Sequence, residues 1–332
     1  MNGPNLTVII PCYNEEDVLP ETIQTLLSVV RRAVKKGLAS AASTLLFVDD
    51  GSADATWECI KKAVACEREV TGLKLSRNFG HQNALIAGMD HARAYSDCIV
   101  SIDADLQDDC EAIHEFLVKY QDGFDIVYGV RDQRVTDTRF KRNTALLFYR
   151  IMKKLGVEMI PNHADFRLMS RRALDQFVRF HEENLFLRGM VPLLGFKSTE
   201  VYYNRRERQA GESKYPLKKM LSFAIDGITS FSVAPIRMVT AIGFCVAGIG
   251  VLYGCYALLR YFTGHAVSGW TSIILSIWLI GGMQLIAIGI IGEYIGKIFK
   301  ESKHRPRYIV ETVCSDERRQ HDDVKVLLPG KS

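Results

Sequence analysis

Cys98–Gln107 reads CIVSIDADLQ. A short apolar run rich in β-branched residues ends in two carboxylates one residue apart, and an amide follows. Alternation along a strand puts Asp103 and Asp105 on the same side, at the end of an otherwise buried strand. Two hard anionic oxygens on one face suit a divalent cation such as Mg2+ or Mn2+. A plainer reading of the pair is that it ends a strand and caps the next helix. The motif DxD is short, so its neighbours must decide.

On both sides the chain alternates strand-like and helix-like segments. Strands are predicted at Leu6–Ile10, Thr44–Val48, Leu73–Leu75, Cys98–Ile102 and Ile126–Tyr128. Helical patterns run over Glu16–Arg32, Asp54–Cys66, Gln82–Ala94 and Asp109–Tyr120. This order implies an α/β domain with a Rossmann-like, mostly parallel sheet covered on both faces. In such sheets ligands bind beyond the carboxyl ends of the strands. Asn14 and Glu15, Asp49 and Asp50, and Asp103 and Asp105 all follow strands and are expected on that one edge.

The dinucleotide loop GxGxxG does not follow the first strand, and the phosphate loop GxxxxGK[ST] is missing too. Gly330-Lys331-Ser332 has the end of that loop without its upstream glycine. Without a glycine cradle, a cation on Asp103 and Asp105 is the available device for holding phosphates, and it offsets charge on a departing diphosphate. Asp49 or Asp50 can accept hydrogen bonds from a base or a ribose. Together these features follow the logic of a nucleotide-diphosphate sugar site.

The motifs VIIPCYNEE, VDDGSAD, LSRNFGHQNAL, DADLQD, ADFRLMSR and GESKYP occur in this order. In them the chain resembles the family 2 glycosyltransferases of GT-A fold, from about Leu6 to Arg307. More narrowly it is similar to the polyprenyl-phosphate glycosyltransferases, which include the bactoprenol glucosyltransferases and dolichol-phosphate mannose synthase. The resemblance implies donor contacts at Pro11, Tyr13, Asn14, Glu15, Asp49, Asp50 and Asp103, and a metal shell of Asp103, Asp105 and Gln107. Asp105 and Asp165 are the implied catalytic residues. Asp165 matches the position of a base, but a phosphate monoester is largely dianionic at neutral pH. It can instead orient the sugar or hold an arginine such as Arg167. Arg131, Arg134 and Lys214 match basic positions suited to an acceptor phosphate. Lys141, Arg205 and Arg206 are further candidates that solvated surface charge explains as well. His81 reads as a helix-start residue or a diphosphate contact, the former preferred, and Asp108 as a helix cap.

The implied reaction is inverting transfer of glucose from UDP-glucose to undecaprenyl phosphate, serving cell-envelope glycan modification. GDP-mannose, a UDP-N-acetylhexosamine and a UDP-4-amino-arabinose derivative are alternative donors. A processive polysaccharide synthase would need a QxxRW motif, which is missing. A rival of another class is a non-enzymatic membrane scaffold that binds nucleotide sugars. Expected partners are the donor, the lipid acceptor, the membrane, a flippase acting on the product and further copies of the chain.

Mean hydropathy is +0.02, which hides a segregated sequence. Met238–Leu259 carries no charge, and neither does Val267–Gly292. Each exceeds the ~20 residues that cross a bilayer. Lys218, Lys219 and Arg237 lie on one flank, and Lys297, Lys300, Lys303, Arg305 and Arg307 on the other, so both flanks are expected in the cytoplasm. The division expected is a cytoplasmic catalytic domain over 1–215 and a juxtamembrane segment over 216–236. Two transmembrane helices at about 238–260 and 268–296 and a cytoplasmic tail over 299–332 follow. The setting is then a bacterial inner membrane, with both termini cytoplasmic and no N-terminal signal peptide. Arg139–Leu155 and Leu217–Phe231 have apolar stripes opposed by lysines and arginines, as interfacial helices do. The net charge of +4 is too small for bulk nucleic-acid binding. Eight cysteines without CxxC spacing are expected as reduced thiols.

Overall fold

The computed structural model describes residues 3–131, 163–180, 182, 187–204, 234–263 and 269–315. Arg134, Lys141, Arg205, Arg206, Lys214 and the segments Arg139–Leu155 and Leu217–Phe231 lie outside the described residues. Two compact units are present. Residues 306–315 belong with 3–131 and 163–204 in the first, and 234–305 form the second.

In the first unit the elements are β1 (Leu6–Cys12), α1 (Leu19–Lys35), β2 (Thr44–Asp49), α2 (Thr56–Cys66) and β3 (Val70–Leu75). Next come α3 (His81–Ala92), β4 (Cys98–Ser101), α4 (Ala112–Gln121), β5 (Ile126–Arg131) and β6 (His163–Ser170). Two short helices, α5 (Arg171–Phe177) and α6 (Leu187–Leu193), and β7 (Ser198–Tyr203) follow. The second unit holds α7 (Ala234–Phe262) and α8 (Trp270–Glu301), after which β8 (Val310–Cys314) rejoins the first.

The eight strands form one sheet in the order β7-β5-β6-β4-β1-β2-β3-β8. Pairings β1/β2, β1/β4, β2/β3 and β5/β7 are parallel. Those of β6 with β4 and β5, and of β8 with β3, are antiparallel. Every residue of β1 is buried, as expected for a parallel strand covered on both faces. On one face α1 buries Leu19, Ile23, Leu26, Leu27 and Val30 at helical spacing, the stripe an amphipathic helix must cover. Pro20 in its first turn fixes its start, later than Glu16. Behind the sheet α3 packs closely. A Cβ at Gly88 would lie 2.4 Å from Ile9 Cγ2, so only glycine permits that approach.

Among the described residues the second unit holds two helices of 29 and 32 residues. At ~1.5 Å per residue either exceeds the ~30 Å hydrocarbon core of a bilayer. Within them Ile236–Tyr253 has a hydropathy of 1.8 and Leu279–Glu301 of 1.6, and neither stretch is buried by protein. Phe244, Leu252 and Leu285 are each more than 70% exposed. In water so much bare apolar surface would be costly.

Candidate active site

The parallel run β4-β1-β2-β3 brings four strand ends to one edge. Past β1 lies the turn Tyr13–Glu16, and past β2 lies Asp50–Ala55. The two turns are laced together. Asn14, in the left-handed region at φ 54, accepts from the Ala53 N–H through Oδ1 at 2.9 Å and donates its own N–H to Ser52 Oγ at 3.0 Å. The Glu15 N–H donates to Thr56 Oγ1 at 2.8 Å, and the Ala55 N–H donates to Glu16 Oε2 at 2.8 Å. Because α1 starts at Leu19, Glu15 precedes it, and its carbonyl accepts from Val18 and Leu19. Tyr13 projects from this lacework, 47% exposed, while Pro11 is held within β1.

Asp49 and Asp50 are both buried, and burial raises both carboxyls above the ordinary aspartate range. Their partners separate them. Asp50 accepts from the Phe79 N–H at 2.7 Å and the Gly80 N–H at 2.9 Å, so it holds the loop that starts α3. Asp49 Oδ1 accepts from Ser52 N–H at 3.2 Å, whereas Oδ2 is buried with no partner among the described residues. A buried acceptor without a donor is costly, and a ligand N–H or O–H relieves it. Gly51 follows them at φ +66, and a Cβ there would come within 2.4 Å of the Arg77 backbone.

The acidic turn after β4 is anchored from α1, where the buried Thr22 hydroxyl donates to the Ala104 carbonyl at 2.7 Å. Leu106 adopts φ 53, and the Gln107 N–H donates to Asp105 Oδ1 at 3.2 Å. His81, first residue of α3, brings Nε2 to 3.5 Å from Asp103 Oδ1. It is thus both a helix-start residue and a neighbour of the acidic pair.

Antiparallel pairing adds the fourth component. Ser101 pairs with Arg167 across β4 and β6, and continuing that register sets Asp165 opposite Asp103. Ser101 Oγ donates to the Asp165 carbonyl. Asp165 is held by two guanidiniums: Arg167 Nη2 at 2.5 Å and Arg188 Nη2 at 3.1 Å. Burial pushes Asp165 upward, but Arg167 and Arg188 outweigh it and hold the carboxyl well below the usual range. Asp103 behaves oppositely. Burial pushes it up to about 6, with Asp165, Asp108 and Asp105 adding to the rise and His81 opposing it. Its side chain is still 38% exposed, and the carboxylates around it crowd negative charge into this corner.

That crowding fits a hard cation. Among the described residues no group of three or more His, Cys, Asp or Glu forms a protein-only cage. Magnesium sites often use one or two carboxylates and complete the shell with phosphate oxygens and water. Asp103 and Asp105 fit that donor set, with Gln107 beside them and 5% exposed.

Arg131, at the end of β5, donates to Asp108 Oδ1 through Nε at 3.2 Å and Nη2 at 3.0 Å. Tyr203 from β7 donates to the same oxygen at 2.6 Å. Asp108 is therefore not a helix cap. The residue before α4 is Glu111, and Asp108, 3% exposed, ties the ends of β5 and β7 to the acidic turn. Its signal in sequence was one more carboxylate in DADLQD. Arg188 gave no comparable signal, being a single cation in NLFLRGM. Arg134 and Lys214, expected at this site, lie outside the described residues.

The sequence matches the family described as "Glycosyl transferase family 2" over residues 7–178, and "GtrB C-terminal hairpin" over 234–298. An uncharacterized glycosyltransferase of Bacillus subtilis (strain 168), YkoT, is 56% identical over 93% of this chain and 91% of that protein. The bactoprenol glucosyl transferase of Shigella phage SfV is 40% identical over 92% of this chain and 98% of that one. Among solved structures, glucosyl-3-phosphoglycerate synthase from Mycobacterium tuberculosis, in complex with Mn2+, UDP and phosphoglyceric acid, aligns with a TM-score of 0.44. That alignment has 18% identity over 68% of this chain and 77% of the other. The first match falls on the α/β unit and the second on the apolar helix pair, and the chain belongs to glycosyl transferase family 2, as a GT-A domain followed by a GtrB-type hairpin.

Proposed function

We propose that this protein transfers glucose from UDP-glucose to a polyprenyl phosphate, most simply undecaprenyl phosphate, with inversion at the anomeric carbon. The observation that carries this reading is the charge arrangement at one sheet edge. A buried acceptor on Asp49 without a partner among the described residues, an acidic pair at Asp103 and Asp105 and a carboxylate held by two arginines at Asp165 lie in sequence along it. The 40% identity to a protein named bactoprenol glucosyl transferase over nearly the whole chain supports the acceptor class and the sugar.

In this reading Asp49 accepts from the base or ribose, and Tyr13, Asn14 and Glu15 line the nucleotide side with Pro11 beneath. Asp103 and Asp105, supported by Gln107, would hold Mg2+ or Mn2+, which when bound offsets charge on the departing diphosphate. A phosphate oxygen of the lipid attacks the anomeric carbon. The bond from that carbon to the diphosphate oxygen breaks, and its electron pair leaves with UDP. One displacement turns an α-linked donor into a β-linked product. The acceptor needs no base, since its second pKa is near ~6. Asp165, kept ionised by its arginines, therefore fixes guanidiniums in place rather than taking a proton. Arg131 would face the acceptor; Arg134 and Lys214, expected beside it from the sequence motifs, lie outside the described residues.

The helix pair would hold the catalytic domain at the cytoplasmic face of a bacterial inner membrane, where the lipid phosphate lies. β8 follows the helices in sequence yet pairs with β3, which precedes them. This pairing supports a hairpin that crosses twice and returns the chain to the side it left. A flippase would take up the product, and further copies of the chain would form a homo-oligomer.

The test is a donor screen. Purified protein in detergent with undecaprenyl phosphate and Mn2+ receives UDP-glucose, GDP-mannose, UDP-N-acetylglucosamine or a UDP-4-amino-arabinose in turn, and products are read by mass. A hexose adduct from UDP-glucose alone, β-linked by NMR coupling constants, is expected. Turnover with another donor only would replace glucose. Nucleotide binding without any lipid product would favour a scaffold.

A further inference from the structure

Two guanidiniums bind one carboxylate at Asp165, and their surroundings differ sharply. Arg167 is fully buried, with Nη2 2.5 Å from Asp165 Oδ1. Arg188 reaches the same carboxylate through Nε at 3.4 Å and Nη2 at 3.1 Å, yet its side chain is 42% exposed. Asp165, Arg167 and Arg188 by themselves carry one surplus positive charge, and Asp103 and Arg131 also act on Arg188. Arg167 has no path to solvent, so the surplus is presented by Arg188. Arg131 differs, because its partner Asp108 leaves that pair neutral.

The placement of Arg188 is over-determined. Leu187, the residue before it and the first of α6, is gripped from both sides. Its N–H donates to Gln82 Oε1 at 3.3 Å, and its carbonyl accepts from Arg167 Nη1 at 3.3 Å. Gln82 follows His81, which faces Asp103. The backbone at Arg188 is thus fixed from the element that approaches the acidic pair and from the buried arginine. As a brace for Asp165, Arg188 would be redundant, since Arg167 already does this from a dry position and half-exposed ion pairs contribute little. Among the described residues its Nη1 group has no partner. A guanidinium can therefore keep Asp165 and still offer a planar, charged donor pair to an anion.

We propose that Arg188 is a phosphate-contacting residue of this site, oriented by Asp165. The chemistry recognised is a phosphate dianion, and the reaction supplies two sources: the lipid monophosphate and the departing nucleoside diphosphate. The lipid is the favoured source, because in that reading a cation on Asp103 and Asp105 would serve the diphosphate. The inference rests on the transfer reading above.

The experiment compares the parent with Arg188→Ala and Arg188→Lys. Readouts are KM for polyprenyl phosphate, kcat, and the Kd of UDP with Mn2+ by calorimetry. Loss of a charge-assisted contact is expected to raise the lipid KM about ten-fold or more in Arg188→Ala, with partial recovery in Arg188→Lys. UDP affinity should stay within about two-fold. Weakened UDP binding with an unchanged lipid KM would keep the phosphate contact and assign it to the diphosphate. Unchanged values of both, whether or not kcat falls, would overturn the proposal and leave Arg188 a brace. If the parent transfers no label, the transfer reading fails, and UDP affinity in the two variants decides for Arg188 alone. Thermal unfolding of each variant guards against a folding defect.

Discussion

Replacing Arg167 by methionine keeps the side-chain volume and removes the charge. Arg167 is fully buried, bonded to Asp165 at 2.5 Å and to the Leu187 carbonyl at 3.3 Å. Breaking a buried pair by removing one partner costs ~3–5 kcal/mol, because it strands the other charge. Two features reduce that here. Asp165 keeps Arg188, and Arg167 Nε is buried without a partner among the described residues, a liability of ~1 kcal/mol that methionine removes. A net loss of about 3 kcal/mol remains. For a domain of this size each kcal/mol moves the melting midpoint by ~2–4 °C, so a drop of roughly 6–12 °C is expected. Arg188→Met breaks a pair that is 42% exposed on the arginine side and should lose less than ~1 kcal/mol. The assay is thermal unfolding of both variants in detergent, followed by intrinsic fluorescence. The order is the sharp part: Arg167 should govern stability and Arg188 activity. A midpoint for Arg167→Met within ~2 °C of the parent, or a larger loss for Arg188→Met, would refute the division between a buried anchor and a working cation.

Other outcomes follow from the same geometry. Asp105→Asn should lower transfer about 100-fold or more and abolish the dependence of UDP binding on Mn2+, measured by calorimetry with and without the ion. Gly51→Ala forces φ +66 on a residue with a Cβ and drives that atom within 2.4 Å of the Arg77 backbone. UDP affinity should fall at least about ten-fold as the Asp50 grip on Phe79 and Gly80 is lost. Tyr308→Phe deletes a 2.6 Å hydrogen bond to Asp90 and should cost about 1 kcal/mol, visible as a midpoint lower by a few degrees. In acid, Asp165 is lowered by its arginines against the push of burial. Its stabilisation is complete above the unfolded value near ~4 and is lost as pH falls through and below it. The midpoint of the parent should therefore fall more steeply below pH ~4 than that of Asp165→Asn.

The features that local pattern controls were legible in the sequence. Runs of buried apolar residues announced β1, β2 and β4, and the polar clusters that follow them come together at one sheet edge. Long uncharged stretches announced the apolar helix pair. What stayed hidden depends on distant pairing. β8 is five residues from a tail, VETVC, and its partner β3 lies well over 200 positions earlier, so no window over the sequence joins them. β6 was read as a motif around Asp165. Its antiparallel register, which sets Asp165 opposite Asp103, follows only from the sheet. The division of labour between Asp49 and Asp50 is likewise tertiary. Adjacent carboxylates look equivalent in sequence, and only the Phe79 and Gly80 N–H groups distinguish them. Asp108 was misassigned for a related reason: its partners Arg131 and Tyr203 come from other strands.

The most direct test follows radiolabel from UDP-glucose in membranes containing the protein, extracted with organic solvent after incubation with and without a chelator. Label should enter the lipid phase in the parent, disappear with chelation, and stay in the aqueous phase with Asp105→Asn. Lipid labelling that survives both chelation and Asp105→Asn would contradict transfer built on the acidic pair after β4.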